Sequence, residues 1–237
     1  TVDSAAAPVT ISLAAARVEE QVTVTAALRR EGVVSTATKT ATPLLQIPQT
    51  IDIVDSQTLR TQAALSMQDA MRNVAAVNVN LGEGRRDQFL IRGFNAQYDA
   101  LVDGVRDDGL YYRDLATIDR IEVLKGPAAA LFGRGSSGGV INRIVKAPLL
   151  ESSVGEFAVT AGSLGVRRFS ADLGRHSQSN HWAFRVVAAG EDSTSFRDSY
   201  FLRRGVVAPS LLWSSDRTSI LTQIEHLRDH RLPDRGI

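Results

Sequence analysis

Hydrophobic positions in this chain recur mostly with a period of two, the spacing of strands, and seldom with that of helices. The stretch Ile47-Pro48-Gln49-Thr50-Ile51-Asp52-Ile53-Val54 alternates as a strand does, and Asp55-Ser56 then offers a helix N-cap. Helical spacing appears in Leu65, Met67, Ala70, Met71, Val74 and Val77, which predict a core-facing helix opened by a capping box of Ser66 and Asp69. A polar, glycine-bearing loop is expected over 78–87, then strands over 89–92, 99–103 and 118–124, separated by turn segments at 93–98 and 104–113. Pro127 fits the first turn of a short helix through Phe132, which the glycines of 133–139 end before a strand over 140–145.

After Pro148 alternation takes over, near 154–163, 166–174, 181–190, 201–213 and 217–228, and predicts an up-and-down β-meander. Phe157, Val159 and Ala161 share one face and Glu156, Thr160 and Gly162 the other, and Leu212, Ile220, Ile224 and Leu227 sit in comparable stripes. Turn signals fall at Ser177-Gln178-Ser179-Asn180 and Ser214-Ser215-Asp216. At the other end, residues 1–42 are rich in Ala, Thr, Val and Ser and read as a mobile segment. Their one ordered-looking piece is Glu20-Gln21-Val22-Thr23-Val24-Thr25-Ala26, which on pattern alone is a short edge strand.

Composition sharpens this picture. With 237 residues, 43% of them hydrophobic and 22% charged, the chain can bury a core. The 27 basic and 26 acidic residues nearly cancel, so the net charge of +1 gives no bulk reason to bind nucleic acid. The absence of cysteine excludes disulfides, thiolate metal sites and cysteine nucleophiles. No run approaches 18 apolar residues, which excludes a spanning helix but not spanning strands of ~10 alternating residues. The chain opens at Thr1 without Met or an apolar leader, so a secretory signal is expected to have been removed or to lie outside it.

Some motifs tempt toward enzymes. Gly133, Gly135 and Gly138 satisfy a dinucleotide fingerprint, but here the order is helix, glycines, strand, the reverse of what places a pyrophosphate on a helix N-terminus. Gly135-Ser136-Ser137-Gly138-Gly139 fits a nucleophile elbow, with Ser137 as nucleophile and His176, His181, His226 or His230 as base, and meets the same objection. His226 and His230 would share a strand face ~13 Å apart, too far to chelate one metal; on a helix they could, but the surrounding alternation favours a strand running into a loop. Asp107-Asp108 beside Gly109 reads as a turn rather than an acid–base pair.

Taken together, Ile47-Pro48-Gln49-Thr50, Phe89-Leu90-Ile91-Arg92-Gly93-Phe94, Leu101-Val102-Asp103-Gly104, the run from Ile118 through Pro127, and Leu131-Phe132-Gly133 through Gly139-Val140-Ile141-Asn142 resemble, in order and spacing, the plug domain of TonB-dependent outer-membrane receptors. The Ile-Pro-Gln-Thr and Ile-Arg-Gly-Phe forms look most like the ferric-siderophore branch, and His230 through Ile237 resembles a stretch early in those barrels. The resemblance implies a flexible segment 1–42 bearing a TonB box at Glu20, Gln21, Val22, Thr23, Val24, Thr25 and Ala26, and an α+β plug domain (a small mixed sheet with short helices) over 43–150. Antiparallel β-strands of an incomplete transmembrane β-barrel would follow over 151–237.

It further implies a receptor and transporter rather than an enzyme, in the Gram-negative outer membrane among its lipids. The partners would be a ferric siderophore outside and the C-terminal domain of TonB, driven by the TonB–ExbB–ExbD system, inside. The box would bind TonB by β-augmentation. Plug-apex loops carrying Arg85, Arg86, Gln97, Tyr98, Tyr111, Tyr112 and Arg113 would meet an anionic, aromatic chelate, whose iron stays ligated by the siderophore, so no cofactor or protein metal ligand is implied. Arg92 and Lys125 occupy positions at which the family pairs basic plug residues with barrel acids, here expected beyond the chain's end. Where that branch usually has Arg, Lys125 lacks the bidentate fork. Haem or cobalamin are alternative substrates, and a serine hydrolase using Ser137 is the alternative from another class. Residues 151–237 leave room for about five strands, fewer than the ~8 of the smallest closed barrels, so a plug with an unclosed barrel start is expected.

Overall fold

The computed structural model describes residues 33–80, 84–133 and 137–233. Residues 20–26, Gly135 and residues 234–237 lie outside the described residues. The first unit opens with strands β1 (Val33–Val34) and β2 (Thr42–Pro43), paired antiparallel, and a 3-10 turn at Leu44–Gln46. The alternating stretch becomes β3 (Thr50–Asp55), and Asp55 caps α1 (Ser56–Thr61) by accepting from the Thr58 amide at 2.6 Å.

Helix α2 (Met67–Met71) carries the expected box, with Ser66 Oγ accepting from the Asp69 amide and the Asp69 carboxylate accepting from the Ser66 amide. It is shorter than the spacing predicted. Ala76 sits at φ 60° and its carbonyl accepts from the Arg92 amide at 2.8 Å, so long-range pairing overrides helical continuation. Val74 and Val77 still reach the core, the latter as the first residue of β4 (Val77–Val79).

Then come β5 (Phe89–Ile91), β6 (Phe94–Asn95), β7 (Ala100–Val102), β8 (Val105–Arg106), β9 (Ile118–Lys125), α3 (Ala129–Phe132) and β10 (Gly139–Val145). The stretches read as turns at 93–98 and 104–113 thus contain β6 and β8, two-residue strands that fold back on β5 and β7. A five-stranded mixed sheet runs in the order β3-β9-β10-β7-β8, parallel only between β10 and β7, and β4-β5-β6 form a second small sheet. Alternation along β9 and β10 sends Ile121, Val123 and Ile141 into one core with Met67, Met71 and Ile91, and Leu124 and Val140 into another with Val34, Ile51, Leu101 and Phe132.

The second unit is an antiparallel sheet of β11 (Val154–Ala161), β12 (Arg167–His176), β13 (Trp182–Thr194), β14 (Phe201–Ser214), β15 (Ser219–Gln223) and β16 (His226–Arg231). Both β15 and β16 pair with β14 in one register, Leu212 opposite Leu221 and Val206 opposite Leu227. They form the single strand line predicted over 217–228, interrupted opposite Pro209, which has no amide to donate. Among the described residues the sheet does not close on itself, and β11 and the β15–β16 line are its edges.

Candidate functional site

Strand alternation gives the large sheet two chemically different faces. Arg168 lies opposite Glu191, and Glu191 opposite Arg204, so one inward rung carries two guanidinium groups around one carboxylate. The excess positive charge is met by Asp114, 1% exposed, from the first unit. Arg168 donates to the two Asp114 oxygens at 3.0 and 2.5 Å and to Glu191 at 2.9 Å. Arg204 meets Asp114 at 3.0 Å and donates to Glu191 at 2.6 Å and to the Leu65 carbonyl at 2.9 Å. Burial pushes the Asp114 carboxyl up, but the Arg168 hydrogen bonds and the charges of Arg204 and Arg168 outweigh it and hold the group below its ordinary range.

Further contacts extend this attachment. Arg185 grips Asp172 with two bonds of 2.7 and 2.8 Å and donates to the Ala147 carbonyl at 2.9 Å, while Lys146 reaches Asp172 at 2.9 Å. Thr117 Oγ1 donates to Glu225 at 2.9 Å, and Arg60 pairs with Glu156. Period-two parity, which puts Arg168 on the face opposite Phe169, is the sequence signal that singles out these inward charges; Asp114, Arg168, Glu191 and Arg204 belong to none of the sequence motifs quoted above.

The expected ligand residues divide. Arg85 and Tyr98 are exposed, and Arg86 and Gln97 half-buried. Tyr112 is half-buried with the Arg231 guanidinium 3.7 Å from its ring centre, and lines a cavity of about 390 Å³ with Gly84, Asp87, Arg113 and Tyr200. Tyr111 faces a different cavity, also about 390 Å³, between Arg106, Arg143 and Glu225. Arg113 departs from the expected outward-facing role. It is 4% exposed, its Nε donates to Asp107 at 3.0 Å, and its amide donates to Asp87 at 2.9 Å. Asp107 also accepts from Arg143 at 2.7 Å and from the Tyr111 hydroxyl at 2.9 Å. Burial lifts Asp107, but Arg113 and Arg143 outweigh it and keep the carboxyl low. Asp87, served chiefly by one backbone bond, is pushed up by burial to about 6.

Lys125 is buried and pairs with Asp52 of β3, inside the first unit rather than with the large sheet; a β9 lysine beside β3 finds the nearest carboxylate across the strand pair. Arg92 is exposed and lies against Gly126, where an added Cβ would stand 3.3 Å from its guanidinium. Ser137 is exposed, and among the described residues no histidine hydrogen-bonds it. His226 and His230 lie on a strand, on the face opposite Leu227, and His230 packs edge-on to Phe201 at 5.0 Å.

The overall fold is shared with known receptors. Residues 43–140 match the TonB-dependent Receptor Plug Domain family. The chain is 32% identical over 204 residues to the ferrioxamine receptor of Yersinia enterocolitica, covering 81% of this chain and 28% of that one. It is 35% identical over 231 residues to the metal-pseudopaline receptor CntO of Pseudomonas aeruginosa, covering 92% and 32%. The closed form of the ferric-catecholate import receptor Fiu from Escherichia coli K12 superposes with a TM-score of 0.80 at 28% identity, over 88% of this chain and 30% of that one. The chain therefore spans 28 to 32% of the length of these curated relatives. With the plug match, the mixed sheet seated on a strand wall and the receptor likeness in agreement, residues 43–140 belong to the plug domains of TonB-dependent receptors, and the whole chain resembles the corresponding part of such receptors.

Proposed function

We propose that the chain forms the plug and first wall strands of an outer-membrane receptor that takes up ferric siderophores and is energised through TonB. The observation that carries this reading is the rung Arg168–Glu191–Arg204, which closes on Asp114. It fixes a small α+β unit to the polar face of a sheet whose other face is apolar, as a plug in a membrane wall requires. The names of the relatives favour a ferric siderophore over haem or cobalamin. Tyr98 and Arg85, both exposed, supply an aromatic surface and a positive charge for an anionic chelate. The iron stays within the ligand's own oxygens, and the protein supplies contact and a path. Glu20 to Ala26 serves as the TonB box, and a pull on it is transmitted to the plug.

Two measurements test this. A peptide of residues 20–26 is expected to bind the periplasmic domain of TonB, and Val22→Pro to abolish binding by removing an amide from the paired strand. The protein carrying this chain is expected to restore growth of a receptor-deficient strain on ferrioxamine or a ferric catecholate under iron limitation. Failure with a panel of siderophores, alongside growth on haem, would overturn the substrate assignment.

A further inference from the structure

The outward face of the large sheet holds two adjacent rungs that the transport reading leaves unused. Strand register places Arg167, Asp192, Arg203 and His230 side by side in one, and Phe169, Gly190, Gly205 and Arg228 in the next. Adjacent strands stand ~4.8 Å apart, so the three guanidinium groups converge on one patch. Arg203 reaches Asp192 at 3.5 Å; Arg167 and Arg228 make no ion pair among the described residues. Asp192 is the single acid at an outward position of β11–β16. Below the charges stand two glycines, one covered by an aromatic ring and the other open. The Phe169 ring leans over Gly190, where a Cβ would come within 2.4 Å of it, and Gly205 is open. The result is a groove of about 820 Å³ with cations at one end and an aromatic floor.

Its position tells what it meets. From this patch the outward face continues through Phe157, Ala188, Val207, Leu173, Val186, Phe184 and Leu211 to Trp182 and Trp213, whose rings pack 6.1 Å apart. At about 3.3 Å per residue and a tilt near 45°, the run from Trp182 to Asp192 rises about 23 Å, close to the ~25 Å apolar band of outer-membrane barrels. Tryptophans mark one border of that band and the arginines the other. Arg231, over the Tyr112 ring, adjoins the arginine border, and the plug reading, in which Tyr112 belongs to the apex, makes that border the outer-leaflet one.

We infer that Arg167, Arg203 and Arg228 bind the phosphate of a phosphorylated lipid of the outer leaflet, with an acyl chain lying over Gly205 against the Phe169 ring. The inference rests on reading the sheet as a membrane wall. Three arginines against one aspartate give the patch the charge a phosphate complements, and guanidinium forks bind phosphate in bidentate fashion.

The test uses the full chain transferred from detergent to phosphatidylcholine vesicles with or without diphosphorylated lipid A, and reads the bound fraction by flotation. Lipid A vesicles are expected to bind it more tightly, and the double variant Arg203→Gln, Arg228→Gln to lose about fivefold for each arginine. Arg203→Lys with Arg228→Lys is expected to retain most of the preference, which guards against loss through misfolding. Equal binding of the parent chain to both vesicles, an undiminished lipid A preference in the Gln variant, or displacement by millimolar inorganic phosphate would each overturn the lipid site. Failure to bind either vesicle would overturn the membrane-wall reading beneath it.

Discussion

Asp114 bears the charge balance of the whole attachment, because without it Arg168 and Arg204 face one carboxylate at a buried rung. Asp114→Asn is expected to cost about 3–5 kcal/mol, the range for breaking a buried ion cluster on one side, read as a lowered denaturation midpoint in detergent. Asp87 behaves oppositely. Its native pKa of about 6 exceeds the ordinary 3.8, so the folded state binds the proton more tightly and stability rises as pH falls from 6 toward 3.8. That gain amounts to about 2–3 kcal/mol at most. Asp87→Asn, which keeps an acceptor for the Arg113 amide, is expected to remove this pH dependence from melting curves and to be the more stable form at pH 7. Neither role is visible in the residue string: Asp87, Asp107 and Asp114 are three aspartates of one loop-rich region, and burial pushes the first pKa up while neighbouring arginines outweigh burial and hold the other two down.

At the scale of elements, the glycine-rich stretch that imitates nucleotide and hydrolase motifs serves strand packing. A Cβ on Gly138 would fall 2.1 Å from the Ile91 carbonyl, and one on Gly139, at φ 142°, 2.1 Å from the Leu124 carbonyl. Gly138→Ala is therefore expected to destabilise the plug by about 2 kcal/mol or more, whereas exposed Ser137→Ala should stay within about 0.5 kcal/mol and leave background ester turnover unchanged. Measured melting temperatures of the pair separate a packing role from a nucleophile. Most elements were legible because their signals are local: the Asp55 cap, the Ser66–Asp69 box, the alternation of β9 and the meander. Helix α2 was overestimated because the pairing of residues 76 and 92 is not local.

For the whole molecule, the decisive property is a sheet polar on the plug side and apolar on the other. Phe157 at 74% and Val159 at 85% exposure are large hydrophobic groups that water does not favour. The chain is expected to aggregate without detergent and to show blue-shifted fluorescence of Trp182 and Trp213 once in vesicles; a monodisperse chain in plain buffer would contradict the wall reading. Alternation made two faces readable, and strand register divides the stripes between them: Leu212 and Leu227 turn inward while Ile220 and Ile224 turn outward.

By itself the sequence determined the order of the longer strands and the short helices, their caps, and the family likeness carried by its plug motifs, because each depends on residues near one another along the chain, whereas the two-residue strands β1, β2, β6 and β8 needed their partners. Only the tertiary structure decided that Arg113 is a buried strut, that Lys125 pairs with Asp52, that Asp114 docks into an arginine–glutamate rung, and that Arg167, Arg203 and Arg228 meet on one outward patch. Those outcomes depend on register between strands and on burial, and both are set by partners tens of residues away.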